Sequence, residues 1–138
     1  MKDVAYVALG SNLGQREVFL AQARRSIAQL PQTRVLGETA AEETAPIGPV
    51  PQEPFLNQMI AIETELSPQQ LLRELMRIEK EAGRVRTERW GPRTLDLDIV
   101  LFERQSVNEA NLMVPHPELP NRAFWRRELT ELRSARVG

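Results

Sequence analysis

The chain contains no cysteine. That absence excludes a disulfide framework, thiolate catalysis and cysteine-ligated zinc, and it fits a reducing compartment. Net charge is nearly absent too: 18 basic side chains oppose 19 acidic ones, a formal charge of −1. No chain-wide positive field exists to hold nucleic acid or an anionic membrane, so any polyanion must be bound by a local cluster. Long apolar runs are also missing. Val4 to Leu9 is too short for a signal-peptide core, and nothing approaches a membrane span. The 138 residues predict one soluble, cytoplasmic domain over positions 1–138. It would bury roughly two-thirds of its unfolded surface without a metal or disulfide staple.

The order of elements follows from periodicity. Val4 to Ala8 reads as a strand that ends in the turn Gly10-Ser11-Asn12-Leu13-Gly14, with Asn12 bonding to backbone. Phe19, Ala23, Ile27 and Leu30 then recur at helical spacing until Pro31. A second strand is expected within Thr33 to Thr44, a stiff proline-rich loop over Ala45 to Phe55, and a third strand over Asn57 to Leu66. Ser67-Pro68-Gln69-Gln70 combines an N-cap serine, a proline at the first helical position and a glutamine placed to complete a capping box. The helix it starts buries Leu71, Leu75, Ile78 and Ala82, and Gly83 stands at its left-handed C-terminal cap. A further strand, a polar hairpin around Ser106 to Asn111 and a tail from Arg126, either amphipathic helix or frayed end, complete the chain. The order β, α, β, β, α, β predicts an α+β fold of the ferredoxin-like kind, a mainly antiparallel sheet with two helices on one face and the other face open to a ligand.

Chemistry concentrates in "RWGPRTLDLDIVLF", Arg89 to Phe102. Strand alternation puts Leu95, Leu97, Ile99 and Leu101 on one side and Asp96, Asp98, Val100 and Phe102 on the other. The two carboxylates repel by about 2–3 kcal/mol at an effective dielectric of about 20, and a cation between them reverses that sign. Hard oxygen donors with no nearby histidine or cysteine favour magnesium over zinc. A bare D-x-D is more often a solvent-facing pair, but it is preceded by Arg84, Arg86, Arg89 and Arg93, which fall within one stretch of ten residues. Arginine suits multidentate phosphate contact, so the two clusters together point to a magnesium-phosphate site. There is no P-loop and no dinucleotide fingerprint. His116, the only histidine, lies between Pro115 and Pro117 and is either an isolated surface residue or a donor beside a phosphate. Phe55, Trp90 and Phe124 sit in irregular segments, where aromatics either clamp a flat heterocycle or fill satellite core.

Together, "ALGSNLG", "FLNQ", "GRVRTERWGPRTLDLDIVLF" and "VPHPELPNRAF" resemble the 6-hydroxymethyl-7,8-dihydropterin pyrophosphokinases of folate biosynthesis, from about Val4 to Phe124. The resemblance implies transfer of a pyrophosphoryl group from ATP to the pterin hydroxymethyl oxygen with release of AMP, by a monomer that needs neither nucleic acid nor membrane. It implies that Asp96 and Asp98 hold two magnesium ions and that Arg84 and Arg93 act on the phosphates. Glu79, Arg86, Trp90, Ile99 and His116 would complete the ATP side. The pterin would lie between Phe55 and Phe124, with Asn57, Trp90 and the segment Thr44, Ala45 to Ile47 around it. The alternative is a low-activity pterin- or nucleotide-binding paralogue on the same scaffold. An RNA-binding module is disfavoured because aromatics do not alternate on the strands.

One departure from the family follows Phe124, where relatives usually continue with an apolar, strand-like stretch and this chain has Trp125, Arg126, Arg127 and Glu128. Asn111 stands where some relatives offer a basic contact to ATP, and Ala45 where many have proline. The family's mobile loops coincide with Ala45 to Pro54 and Arg84 to Pro92, which are expected to close over ATP and exclude water. Amide exchange checks this: both loops should gain protection when a non-hydrolysable ATP analogue and pterin are added together.

Overall fold

The computed structural model describes residues 2–45, 53–83 and 95–137. A long strand β1 (Asp3–Ser11) leads through a glycine turn into α1 (Arg16–Ala28), followed by β2 (Thr33–Glu38), a short β3 (Glu42–Thr44) and β4 (Phe55–Thr64). Then come α2 (Pro68–Glu81), β5 (Asp96–Phe102), a small hairpin of β6 (Val107–Glu109) and β7 (Leu112–Val114), and α3 (Ala123–Val137). The main sheet runs β2-β4-β1-β5 with every pairing antiparallel, and β3 joins β4 beyond the end of β2. The result is a mixed α+β fold whose antiparallel sheet carries helices on both faces. Among the described residues, no helix is long and apolar enough to cross a membrane.

Alternation along β1 and β4 divides the interior. Ala5, Val7 and Leu9, with Leu56, Ile60 and Ile62, face the layer of α1 and α2 and form the larger core with Leu20, Ile27, Leu71 and Leu75. Tyr6, Ala8, Met59 and Ala61 face the other way, against Trp125, Leu129 and Leu132 of α3. This second layer corrects the expectation of one open face. The tail is a helix because Trp125, Leu129 and Leu132 recur at helical spacing and cover the apolar half of that face. Arg133 fastens its far end to Glu103, which also accepts the Tyr6 hydroxyl at 2.8 Å.

Four other expectations are revised. β1 does not stop at Ala8 but runs through Gly10 to Ser11, paired with β4 along its whole length. The strand foreseen within Thr33 to Thr44 is broken at 39–41. There the Thr39 hydroxyl accepts the Met59 N–H at 3.0 Å, replacing a ladder carbonyl and turning the chain. β4 begins at Phe55, two residues before the predicted start, because Thr44 pairs with it. In β5 a bulge at Val100 lets Val7 pair with Ile99 and Tyr6 with Leu101, so the alternation slips by one. Leu101 therefore joins the α3 layer and Phe102 the larger core, the reverse of strict alternation.

α2 forms as its sequence requires. The Ser67 side chain accepts the Gln70 N–H at 3.2 Å while Gln70 Oε1 accepts the Ser67 N–H at 2.8 Å, and Gly83 takes a φ of 76° just past the last turn. Ser67→Ala is expected to lower unfolding free energy by about 1 kcal/mol, with Ser67→Asp restoring most of it, measured by urea denaturation.

Candidate active site

The site is set by register across three strands. Gly10 on β1 pairs with Asn57 on one side and with Asp96 on the other, and Ala8 pairs likewise with Met59 and Asp98. These residues share the face turned away from α1 and α2. Two carboxylates on β5 thus stand beside a glycine floor, with an amide on the far side. A Cβ at Gly10 would approach Asn57 Oδ1 to 3.1 Å and Phe55 Cδ1 to 3.5 Å, so glycine here lets both side chains lie close over β1. Reading Gly10 only as part of a turn missed this.

On the β4 side, the Asn57 amide donates to the Thr44 hydroxyl, which fixes the direction of its carbonyl. Phe55 is anchored by pairing with Thr44 and by the two residues before it. Asn12 Nδ2 donates to the Glu53 carbonyl at 3.1 Å, and Arg16 donates to the Pro54 carbonyl at 2.9 Å. Asn12 does bond to backbone, as expected, but to a distant segment rather than within its own turn. Ala45 is exposed at the end of this arm.

On the β5 side the strand is a sheet edge, and the Leu97 N–H points off it. Glu79, buried on α2, accepts that N–H through Oε2 at 2.7 Å. The bond holds β5 at the residue between the two aspartates. Ile99 buries its side chain in the larger core, so only its backbone is available at the edge. Next to Asp98 a pocket of about 280 Å³ opens between Leu72 of α2, Ile99, the hairpin residues Asn111, Leu112 and Met113, and His116.

His116 is held by three contacts. Its N–H donates to the Val100 carbonyl at 2.9 Å, and its Nδ1 accepts the Glu118 N–H at 3.0 Å. Its ring stands edge-on to Trp125 with centroids 4.9 Å apart. Since Nδ1 is an acceptor, the neutral ring carries its proton on Nε2, which stands 3.6 Å from Asp98 Oδ1. That separation is too long for a hydrogen bond and leaves the proton available to a ligand. Trp125 is itself covered by the Arg122 guanidinium, 4.3 Å from the ring centroid. Arg122 was not singled out from sequence, and Trp125 only as a departure from the family pattern, not as part of the site. Phe124, half-buried, packs against the second core beside Trp125 with ring centroids 6.3 Å apart. Arg84, Arg86, Arg89, Trp90, Arg93 and Ile47 lie outside the described residues.

The arrangement places an apolar pocket and an aromatic-amide ledge on opposite sides of two carboxylates, room for two ligands that meet at an acidic centre. A model of the 7,8-dihydro-6-hydroxymethylpterin-pyrophosphokinase family matches residues 6–134. The chain belongs to this family. A 2-amino-4-hydroxy-6-hydroxymethyldihydropteridine pyrophosphokinase of Bacillus subtilis is 44% identical over 132 residues, covering 96% of this chain and 79% of the relative. Proteins of the same description from Haemophilus influenzae and Pseudomonas aeruginosa are 46% and 44% identical, over 87% and 92% of this chain and 75% and 78% of their own lengths. The family match spans every strand of the described site and reaches through most of α3.

Glu79→Ala is expected to leave the Leu97 N–H without its acceptor, at a cost of about 1–3 kcal/mol in stability. Faster exchange of the Leu97 amide, measured by NMR, checks that the loss is local to β5.

Proposed function

We propose that the Asp96 and Asp98 face of β5 is the reaction centre, with ATP entering from the β5 edge and the pterin from the β3–β4 side. The reaction is the family's: pyrophosphate passes from ATP to the hydroxymethyl group of 6-hydroxymethyl-7,8-dihydropterin in folate biosynthesis. The register that aligns Asn57, Gly10 and Asp96 in one row carries the assignment, since it sets a group able to read a heterocycle edge beside the carboxylates.

The donor set fits magnesium. Asp96 and Asp98 supply two hard oxygen ligands, and no group of three histidine, aspartate or glutamate ligands occurs among the described residues. Magnesium takes one or two carboxylates and completes its shell with phosphate and water. Two bound ions would neutralise charge on the transferring group and polarise it for in-line displacement. The chain's own part is positioning. The pocket beside Asp98 takes the flat adenine base, with Ile99 contributing only peptide groups to its polar edge. His116 offers its Nε2–H to a phosphate oxygen, and Glu79 keeps β5 in place beneath. Arg84 and Arg93 hold phosphate oxygens, while Arg86 and Trp90 add contacts from the same segment. Phe55 and Phe124 flank the pterin ring, and Asn57 with the Thr44 to Ile47 segment reads its polar edge.

Counting β2 and β3 as one interrupted strand, the order β2-β4-β1-β5 supports a single ferredoxin-like domain. Incubation with ATP, magnesium and the hydroxymethyl-dihydropterin should yield AMP and the pterin diphosphate; ADP as the product would refute pyrophosphoryl transfer. Asp96→Ala and Asp98→Ala are each expected to lower kcat by on the order of 10²–10³ or more with an unchanged circular dichroism spectrum.

A further inference from the structure

We propose that Glu128 is a positioning residue for the pterin side of the site, acting through Thr39 to hold α3 and its Phe124 against the arm of β3 and β4 that carries Thr44 and Asn57. The inference rests on the placement of the pterin between Phe55 and Phe124.

Glu128 lies one helical turn after Phe124 and is 3% exposed. Its Oε2 stands 3.3 Å from the Thr39 hydroxyl, and its Oε1 is buried without a hydrogen-bond partner. Thr39 is the residue that breaks β2 from β3. Its N–H donates to the Met59 carbonyl at 2.9 Å, and its own carbonyl accepts the Gln58 amide at 2.6 Å. The neighbouring pair of Arg127 with Glu42 of β3 ties the same turn of α3 to the same arm. Two contacts thus join the helix that carries Phe124 to the strand that leads to Thr44.

Proton counting shows which form of Glu128 closes the contact. The Thr39 hydroxyl accepts the Met59 N–H at 3.0 Å and has one proton for two acceptors, the Met59 carbonyl at 3.4 Å and Glu128 Oε2 at 3.3 Å. A neutral Glu128 donates to Thr39 Oγ1, and the Thr39 proton turns to Met59. Each proton then has an acceptor. An ionised Glu128 takes the Thr39 proton for itself and keeps a charged group buried with one oxygen unpaired, which is costly. Burial accordingly pushes the Glu128 carboxyl up to about 7. The Thr39 hydrogen bond lowers it by less, Glu42 from β3 and Glu131 from α3 raise it, and Arg127 lowers it. The strands beneath α3 present the apolar Ala8, Met59 and Ala61.

The sign follows. The folded state holds this proton more tightly than the unfolded chain does, so the stabilisation is complete below the ordinary carboxylate value of 4.5 and is lost as pH rises through about 7. Pterin affinity should fall over the same range while ATP affinity does not.

Steady-state kinetics from about pH 6 to about pH 8 test this in wild type, Glu128→Gln, Thr39→Val and Phe124→Ala. The wild-type KM for pterin is expected to rise several-fold across the range relative to Glu128→Gln, which keeps a neutral donor. The KM ratio for ATP should stay flat. Taking the ratio of the two proteins cancels every titration they share. Thr39→Val removes the hydroxyl through which Glu128 holds the arm, so its pterin KM should already be raised at about pH 6 and change little to about pH 8. A pterin KM in Thr39→Val that still follows wild type, or pterin and ATP constants shifting together, overturns the proposal. If Phe124→Ala leaves the pterin KM unchanged, the pterin placement fails and this inference with it. If Phe124→Ala raises that KM but Glu128→Gln still follows wild type, only the role of Glu128 fails.

Discussion

β1 is hydrogen-bonded to β4 on one side and to β5 on the other, and the site depends on those two registers holding at the same residue. Gly10 is that residue: it places Asn57 and Asp96 at its two flanks, with Phe55 and Asp98 one alternation away along their strands. A slip of one position in either ladder would turn a side chain of the proposed site into the apolar layer beneath. The burial of Val7, Leu9, Ile60 and Ile62 guards against such a slip, because the same slip would expose them. The core and the site are thus specified by one set of pairings, the core by one face and the chemistry by the other.

Around that central strand the remaining elements act as fixtures. α2 reaches up from below and uses a buried carboxylate, Glu79, to hold an edge N–H that no described strand pairs. The segment after β7 lies along β5 and is pinned by the His116 N–H on Val100. α3 covers the apolar half of the outer face, carrying both the ring on which His116 stands and the carboxylate that meets Thr39. The described part of the proposed site is therefore built mainly from regular elements that converge from both layers, which suits a reaction that demands mainly orientation and charge placement.

Much of this was legible in the sequence where a signal is local. The capping box at Ser67, the glycine stop at Gly83 and the alternation that puts Asp96 and Asp98 together each depend on residues within one turn or one strand. What escaped depends on partners far along the chain. The break at Thr39 exists because its hydroxyl meets Met59, twenty residues away. Gly10 looks like a turn glycine until Asn57 and Phe55 are seen to lie over it. The last helix was left open between helix and frayed end because its stripe of Trp125, Leu129 and Leu132 has meaning only once the second face of the sheet needs cover. The arginine segment that made the aspartates chemically interesting lies outside the described residues, so sequence and family carry that half of the site.

The bulge at Val100 divides β5 into two independent phases. Upstream of it the strand presents Asp96 and Asp98 on the face proposed for the ligands, and downstream the inward and outward positions are exchanged. Residues 101 and 102 therefore answer to different layers than an unbroken strand would give them. Substitutions that repack the far end of β5 can accumulate without rotating the carboxylates. The bulge works as a clutch between the part of the strand that varies with the core and the part that must keep its orientation.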